Sequence, residues 1–154
     1  MIELVSRGAA VLDSARLLHD FNLEYDEPSP PPDELAARLT TLIESGQLTV
    51  LLARTADTHD PVGVAAFRLS PSIWSEAQEA YLAELYVVPA RRGQGYGREL
   101  ISETKRLAGE LGADYAFLVT STDDLLAQRL YEAAGFRRTE GEGGPEMLAY
   151  ELDL

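Results

Sequence analysis

AYLAELYVV at residues 80–88, PARRGQGYG at 89–97 and RELISETKRLAGEL at 98–111 read as a strand, a loop and a helix around which the rest of the chain is arranged. The first segment is rich in aromatic and β-branched residues, with Leu85 and Val87 on one face and Leu82, Glu84, Tyr86 and Val88 on the other, the alternation of a strand. Pro89 ends it. After Gly97 the period changes: Leu100, Ile101, Thr104, Leu107, Ala108 and Leu111 fall at helical spacing, with Glu99, Glu103, Arg106 and Glu110 opposite. Between them Gly93, Gly95 and Gly97 alternate with Gln94 and Tyr96, flanked by Arg91, Arg92 and Arg98. Glycines let several backbone N–H groups turn toward one point and let a ligand approach, and a helix start adds positive potential. The loop is a phosphate cradle.

Two familiar cradles fail on residues. A Walker loop needs Lys and then Ser or Thr after its last glycine, where this chain has Arg98 and Glu99. A dinucleotide fingerprint needs G-x-G-x-x-G and a later acidic residue, whereas the spacing here is G-x-G-x-G. A nucleotide-binding module is set aside on those grounds.

What the loop does match is R-x-x-G-x-G after L-Y-V-V-P, and residues 127–136 repeat a second pattern, A-x-x-L-Y-E-x-x-G-F. The pair, in this order and at this distance, resembles the two signatures of the GNAT N-acetyltransferase superfamily. The resemblance runs from about residue 62 to the C-terminus; the first sixty residues agree only in the order of elements.

That order is read as follows. Residues 1–5 form an edge strand, and a helical pattern in Ala9, Leu12, Ala15, Leu17 and Leu18 continues toward Phe21. Residues 20–32, DFNLEYDEPSPPP, are an exposed loop or frayed helix end, since four prolines in five positions forbid a helix. A helix spans 33–44 and stops at Gly46; strands at 48–54 and 62–69 form a hairpin; 70–78 is a loop in which Trp74 is a core lid or part of a pocket. Beyond the central helix come a buried strand at 115–120, a helix through Leu126 and Leu130 to Ala134, and a last hairpin from 136–139 and 147–152. The fold class is mixed α/β in one domain, 1–154. The resemblance implies a central mixed sheet of about seven strands with flanking helices, the fourth and fifth strands splayed.

The resemblance also implies chemistry. Acetyl-CoA is the cofactor: backbone groups of Tyr86, Val87 and Val88 pair with its pantetheine amides, one N–H polarising the thioester carbonyl, and Arg92, Gly93, Gln94, Gly95, Tyr96, Gly97 and Arg98 hold its pyrophosphate. Asp124 stands where the family often has Asn; an ionised Asp accepts a hydrogen bond but donates none, so its contact to CoA departs from the pattern. Tyr131 coincides with the tyrosine whose phenol protonates the leaving thiolate. An amine resembling lysine has a pKa of about 10.4 and needs a base at neutral pH. Glu84, a carboxylate in an apolar strand, is the candidate base, the alternative being an exposed strand face or a structural salt bridge. Phe21, Tyr25, Asp26 and Glu27 fall where the family places its acceptor loops, so they are candidates for binding a cationic amine with an apolar portion. The expected reaction is direct attack in a ternary complex on acetyl-CoA by a small cationic, Lys-like or N-terminal amine. The other class of function is a non-catalytic acyl-CoA binder, a sensor or partner module.

Composition bounds the rest. The chain has 154 residues, 45% apolar and 25% charged, long enough for a core. With no cysteine and two histidines far apart, His19 and His59, both read as solvated, neither a thiol nucleophile nor a metal site is expected. A net charge of −13 and a pI near 4.4 argue against nucleic acid as a partner. No apolar run approaches membrane-spanning length and residues 1–10 lack a signal-peptide layout, so a cytoplasmic protein, monomer or homodimer, with no membrane partner and a small-molecule or peptide amine acceptor is expected.

Overall fold

The structure is a computed structural model that describes residues 1–154. The chain divides into two compact units, residues 1–117 and 118–154. The first is built on a five-stranded sheet in the order β1 (Ile2–Leu4), β2 (Thr49–Arg54), β3 (Pro61–Pro71), β4 (Gln78–Val87) and β5 (Ala113–Phe117). Pairing is antiparallel from β1 to β4, and parallel only between β4 and β5.

Helices α1 (Ala9–Glu24) and α2 (Pro32–Glu44) pack on one another and cover one face of the sheet. Their core joins Val11, Ala15, Leu17 and Leu39 to Val50, Leu52, Val64, Ala66 and Tyr86. Helix α3 (Tyr96–Glu110) buries Leu100, Ile101 and Ala108 on the other face. A Cβ at Gly63 would lie 3.1 Å from both Leu100 Cδ1 and the Tyr86 carbonyl oxygen, so a larger residue there would push α3 or β4 away by a few tenths of an ångström. With helices on both faces, residues 50–53 of β2 and 62–67 of β3 are buried without interruption and read as continuous apolar runs rather than alternating ones, while the far end of β3 is open to solvent.

Helix α2 starts one residue earlier than expected, because Pro32 sits in its first turn, where its fixed φ is favourable and its missing N–H has no partner to lose. Asp33 and Glu34 complement the helix dipole there. Gly46, at φ 71°, ends the helix, and the Gln47 N–H donates to the Leu42 carbonyl.

Two expectations about strands are corrected. The buried strand expected at 115–120 is β5, which ends at Phe117 and leaves Tyr115 53% exposed. The sheet also has five strands, not about seven. Segments 136–139 and 147–152 meet only at one bridge, between Thr139 and Glu146. A two-residue contact around a glycine-rich turn lacks the flanking strands that make a ladder cooperative.

In the second unit the regular element is α4 (Leu125–Ala133). Asp124 caps it, its carboxylate accepting from the Ala127 N–H at 3.0 Å. Gly135, at φ 92°, lies just beyond its end. No helix of the chain is long and apolar enough to cross a membrane.

Candidate active site

Strand β4 changes phase in its middle. Ala66 pairs with Glu84 but Phe67 pairs with Leu82, so Ala83 is an extra residue, a β-bulge. The bulge corrects the simple alternation: Glu84 and Tyr86 face α1 and α2, while Leu82, opposite Phe67, is buried outside that core. A one-residue slip moves every later side chain to the other face, and here it turns a carboxylate into the α1–α2 side of the sheet.

Glu84 lines a pocket of about 130 Å³ with Leu18 and Asn22 of α1, Ser29 and Pro30 of the connecting loop, and Leu35 of α2. At about 30 Å³ per water the pocket holds roughly four waters, the size of an amine head rather than of a whole acceptor. No hydrogen bond or ion pair reaches the carboxylate. Burial pushes its pKa above the ordinary value, opposed by the positive charge of Arg68. Of the two structural readings of Glu84, the geometry shows neither a salt bridge nor a fully exposed face.

The loop side of this pocket is tied down by a residue that sequence reasoning set aside. His19 Nδ1 lies 3.0 Å from the Pro30 carbonyl and 3.1 Å from Ser29 Oγ. A carbonyl only accepts, so Nδ1 carries the proton and donates. Asn22 Nδ2 donates to the Pro28 carbonyl at 3.0 Å. These two bonds fold the proline-rich segment back on α1, and no pattern in the sequence signals them.

The C-terminal end of α1 lies over the end of β4. Phe21 stacks on Tyr86 with ring centroids 5.2 Å apart, and Tyr25 packs edge-on against Phe21 at 5.3 Å. Phe21 thus belongs to the packing of the core, whereas Tyr25, Asp26 and Glu27 are exposed. Asp26 adopts φ 55° as α1 unwinds. Arg92 is the link between this corner and the glycine loop: its Nε donates to the Val87 carbonyl at 2.9 Å, its guanidinium pairs with Glu24 at 2.7 Å, and it sits 5.7 Å above the Tyr86 ring. The Arg92 hydrogen bond holds the Glu24 carboxyl below its usual range, and burial raises the Tyr86 phenol. Glu24, the last residue of α1, is thus the partner of Arg92.

The glycine loop itself is open. Gly93 and Gly95 have φ of 76° and 96°, and nothing lies within 4 Å of a Cβ built at either. Gly95 is the N-cap of α3 and supplies no side-chain cap. The N–H groups of Tyr96, Gly97 and Arg98, in the first turn of α3, thus have no intrahelical partner. Gly97 lies inside the helix without a positive φ. Gln94 Nε2 donates to the Ala90 carbonyl at 3.2 Å and braces the loop. This is an anion-binding helix start with room above it, which fits a pyrophosphate.

Backbone polarity at the end of β4 is also defined. Val88 N–H donates to the Val62 carbonyl at 2.9 Å, so by strand alternation Tyr86 also points toward β3 while Leu85 and Val87 point away from it. Beyond Tyr81, β4 has no strand partner on that far side, because β5 pairs only with residues 78–81. Of the three backbone positions expected to meet a ligand, Val87 alone points its N–H to the open edge, and Leu85 is the second such group.

Asp124 and Tyr131 lie in the other unit. Asp124 serves as the α4 cap. Tyr131, on α4, packs edge-on against Phe136 with centroids 6.1 Å apart. Trp74, at the β3–β4 turn, is 89% exposed and is not a core lid. His59 is exposed in the β2–β3 turn at φ 59°.

The profile of the acetyltransferase (GNAT) family matches residues 14–136. A crystal structure of a provisionally assigned acetyltransferase from Arthrobacter sp. FB24 superposes with a TM-score of 0.88 at 36% identity, covering 100% of this chain and 96% of that one. A D-amino-acid N-acetyltransferase of Saccharomyces cerevisiae is 29% identical over 108 residues, 70% of this chain and 67% of that protein. A thialysine N-epsilon-acetyltransferase of Bos taurus is 34% identical over 83 residues, 53% of this chain and about half, 48%, of its own length.

Proposed function

The chain belongs to the acetyltransferase (GNAT) family, and from that premise we propose that it transfers the acetyl group of acetyl-CoA to a primary amine by direct attack in a ternary complex. The observation that carries the reading is the uncapped start of α3 behind two open, positive-φ glycines. Backbone N–H groups of residues 93–98 hold the pyrophosphate there, and the Val87 N–H at the open edge of β4 pairs with the pantetheine arm and polarises the thioester carbonyl. Arg92, expected beside the pyrophosphate, also shapes this end of the strand through the Val87 carbonyl.

Acetyl-CoA supplies the activated acetyl group when bound. Glu84, held with a raised pKa in a pocket sized for an amine head, takes the proton from the acceptor nitrogen directly or through water. Tyr131 is assigned the proton given to the departing sulfur, on the signature of residues 127–136. The acceptor is a small cationic or Lys-like amine, in keeping with the amine-bearing acceptors named for the yeast and cattle relatives; Tyr25, Asp26 and Glu27 are the exposed groups of the loop whose Ser29 and Pro30 line the pocket.

The test is thermal unfolding with acetyl-CoA followed by thiol release with an amine panel. At ligand near 100 times its dissociation constant the gain is about 2.7 kcal/mol. A shift with ATP or NAD and none with acetyl-CoA overturns the proposal; binding without thiol release reduces it to an acyl-CoA-binding module. In the same assay Tyr131→Phe lowers turnover roughly ten- to a thousandfold with little change in CoA affinity. Unaltered turnover, with chemistry rate-limiting, removes Tyr131 from the mechanism.

A further inference from the structure

A second, larger depression lies on the α2 side of the same sheet face. It measures about 550 Å³ and is lined by Arg38 and Gln47 from the α2 side, Arg68 and Ser70 of β3, Tyr81 of β4 and Phe117 of β5. Nothing in the acetyl-transfer reading uses it. Its size is that of a small-molecule site.

Its charge runs against the rest of the molecule. The chain carries 26 Asp and Glu against 13 Lys and Arg, and five of the arginines, Arg16, Arg54, Arg92, Arg106 and Arg138, sit against an Asp or Glu; what sets this groove apart is that two arginines line it and no carboxylate does. Arg38 and Arg68 reach one groove from different elements, no acidic side chain lines it, and neither makes an ion pair. Arg38 and Arg68 border the same groove, and a planar anion lying in it matches the fork of donors that a guanidinium presents. Beside them Tyr81 and Phe117 stack with centroids 5.0 Å apart and planes at 17°, a flat apolar wall.

The groove shares a sheet face with the proposed base. Arg68 lies opposite Tyr81 and Ala66 opposite Glu84, so the bulge at Ala83 puts Arg68, Tyr81 and Glu84 on one face. Arg68 and Ala66 are two residues apart on β3, a Cα separation of about 7 Å. The charge of Arg68 is felt at Glu84.

We propose that Arg38 and Arg68 bind a carboxylate of the acceptor, which is therefore an amino-acid-like molecule whose amine meets Glu84 while its acid end lies in the groove. The assignment rests on the acetyl-transfer reading above. A zwitterion satisfies both halves of the field: the acidic surface attracts its ammonium and the arginine groove takes its carboxylate, whereas a simple carboxylic acid meets only repulsion on approach.

The test compares lysine with lysinamide, which differ in the carboxylate, as acceptors for the wild-type chain and for Arg38→Gln, Arg68→Gln and the double variant. The readout is the ratio of kcat/KM for lysine over lysinamide; comparing this ratio between proteins cancels the intrinsic reactivity of each amine. Loss of a charge-assisted contact shifts such a ratio by about tenfold or more. The expected result is a ratio that falls at least tenfold from wild type to the double variant, with each single variant between. A double variant that keeps the wild-type ratio overturns the arginine site. Acetyl-CoA thermal shifts on the same samples separate the two readings: a retained shift with an unchanged ratio sinks only the carboxylate site, and absence of any acetyl-CoA shift in the wild type sinks acetyl transfer and the acceptor assignment together.

Discussion

The Glu84 pocket opens on β4 about 10 Å along the strand from its end at Val87, and the glycine loop follows that end; the two stations are made of different material. The loop is backbone: Gly93 and Gly95 stand clear of neighbours, and the groups that face a ligand are peptide N–H donors at the start of α3. The pocket is side chain: a partly buried carboxylate, two prolyl-loop residues and three positions on two helices, assembled from segments up to 66 residues apart, from Leu18 to Glu84. A backbone site is shaped by which residues lack a Cβ, and it has one geometry for one kind of ligand. A side-chain site is shaped by packing, and it changes whenever a loop does. The first suits an invariant co-substrate and the second a variable acceptor.

The largest expected effect strikes the backbone station. In Gly95→Val a β-branched residue must adopt φ 96° at the N-cap of α3, which costs about 1–3 kcal/mol, or the loop must rotate its N–H groups away from their common point. Acetyl-CoA affinity, read by titration calorimetry, falls on the order of a hundredfold while the fold persists, since nothing within 4 Å obstructs the new side chain. Undiminished affinity would mean that the loop is only a turn.

Next comes Glu84→Gln, which keeps the size of the side chain and removes the base. Turnover falls about a hundredfold, with acetyl-CoA affinity nearly constant. Base catalysis needs the ionised carboxylate, so wild-type activity is retained above the raised pKa of Glu84 and lost as pH falls through it, and the variant lacks that limb. Stability moves the other way. Folding raises this pKa above 4.5, so the proton is held more tightly in the folded chain. The associated stabilisation is complete below pH 4.5 and is lost as pH rises through the raised value. At neutral pH the wild type holds a partly desolvated charge that the amide does not, so Glu84→Gln melts at a higher temperature there, and the gap closes in acid. A variant that is both less stable at pH 7 and fully active removes Glu84 from the site.

How far each station was legible in the sequence follows from the same contrast. The strand, loop and helix of residues 78–110 are local, and periodicity with glycine spacing places them within two residues of the structure. The bulge at Ala83 is invisible because an extra residue leaves an apolar strand looking unbroken, so Leu82 was read onto the face of Glu84. The final hairpin failed for a related reason: residues 147–152 alternate well enough for a strand, but a strand exists only through a partner, and Thr139–Glu146 is the one bridge formed. The place of Arg92 beside Gly93 points to a phosphate contact and says nothing of its ion pair. Its partner, Glu24, is 68 positions away, and side-chain pairing at that separation has no local signal.

That pair offers the smallest and sharpest test. Arg92 and Glu24 are partly exposed, with side chains 39% and 28% accessible, so their ion pair contributes at most about 1 kcal/mol after solvent screening. The Arg92 hydrogen bond depresses the pKa of Glu24 below 4.5. Its stabilisation is therefore present above pH 4.5 and lost as pH falls through the depressed value. Glu24→Gln should lower stability slightly at pH 7, measured by urea unfolding, and should match the wild type once the pH is low enough to protonate both chains. Its effect on acetyl-CoA decides what the cradle is made of. If peptide N–H groups hold the pyrophosphate, releasing the Arg92 guanidinium changes the dissociation constant less than about threefold, since one exposed cation near a phosphate gains little in water. A tenfold tightening would show instead that Glu24 had been competing with the cofactor for Arg92, and the contrast between a backbone station and a side-chain station would fall with it.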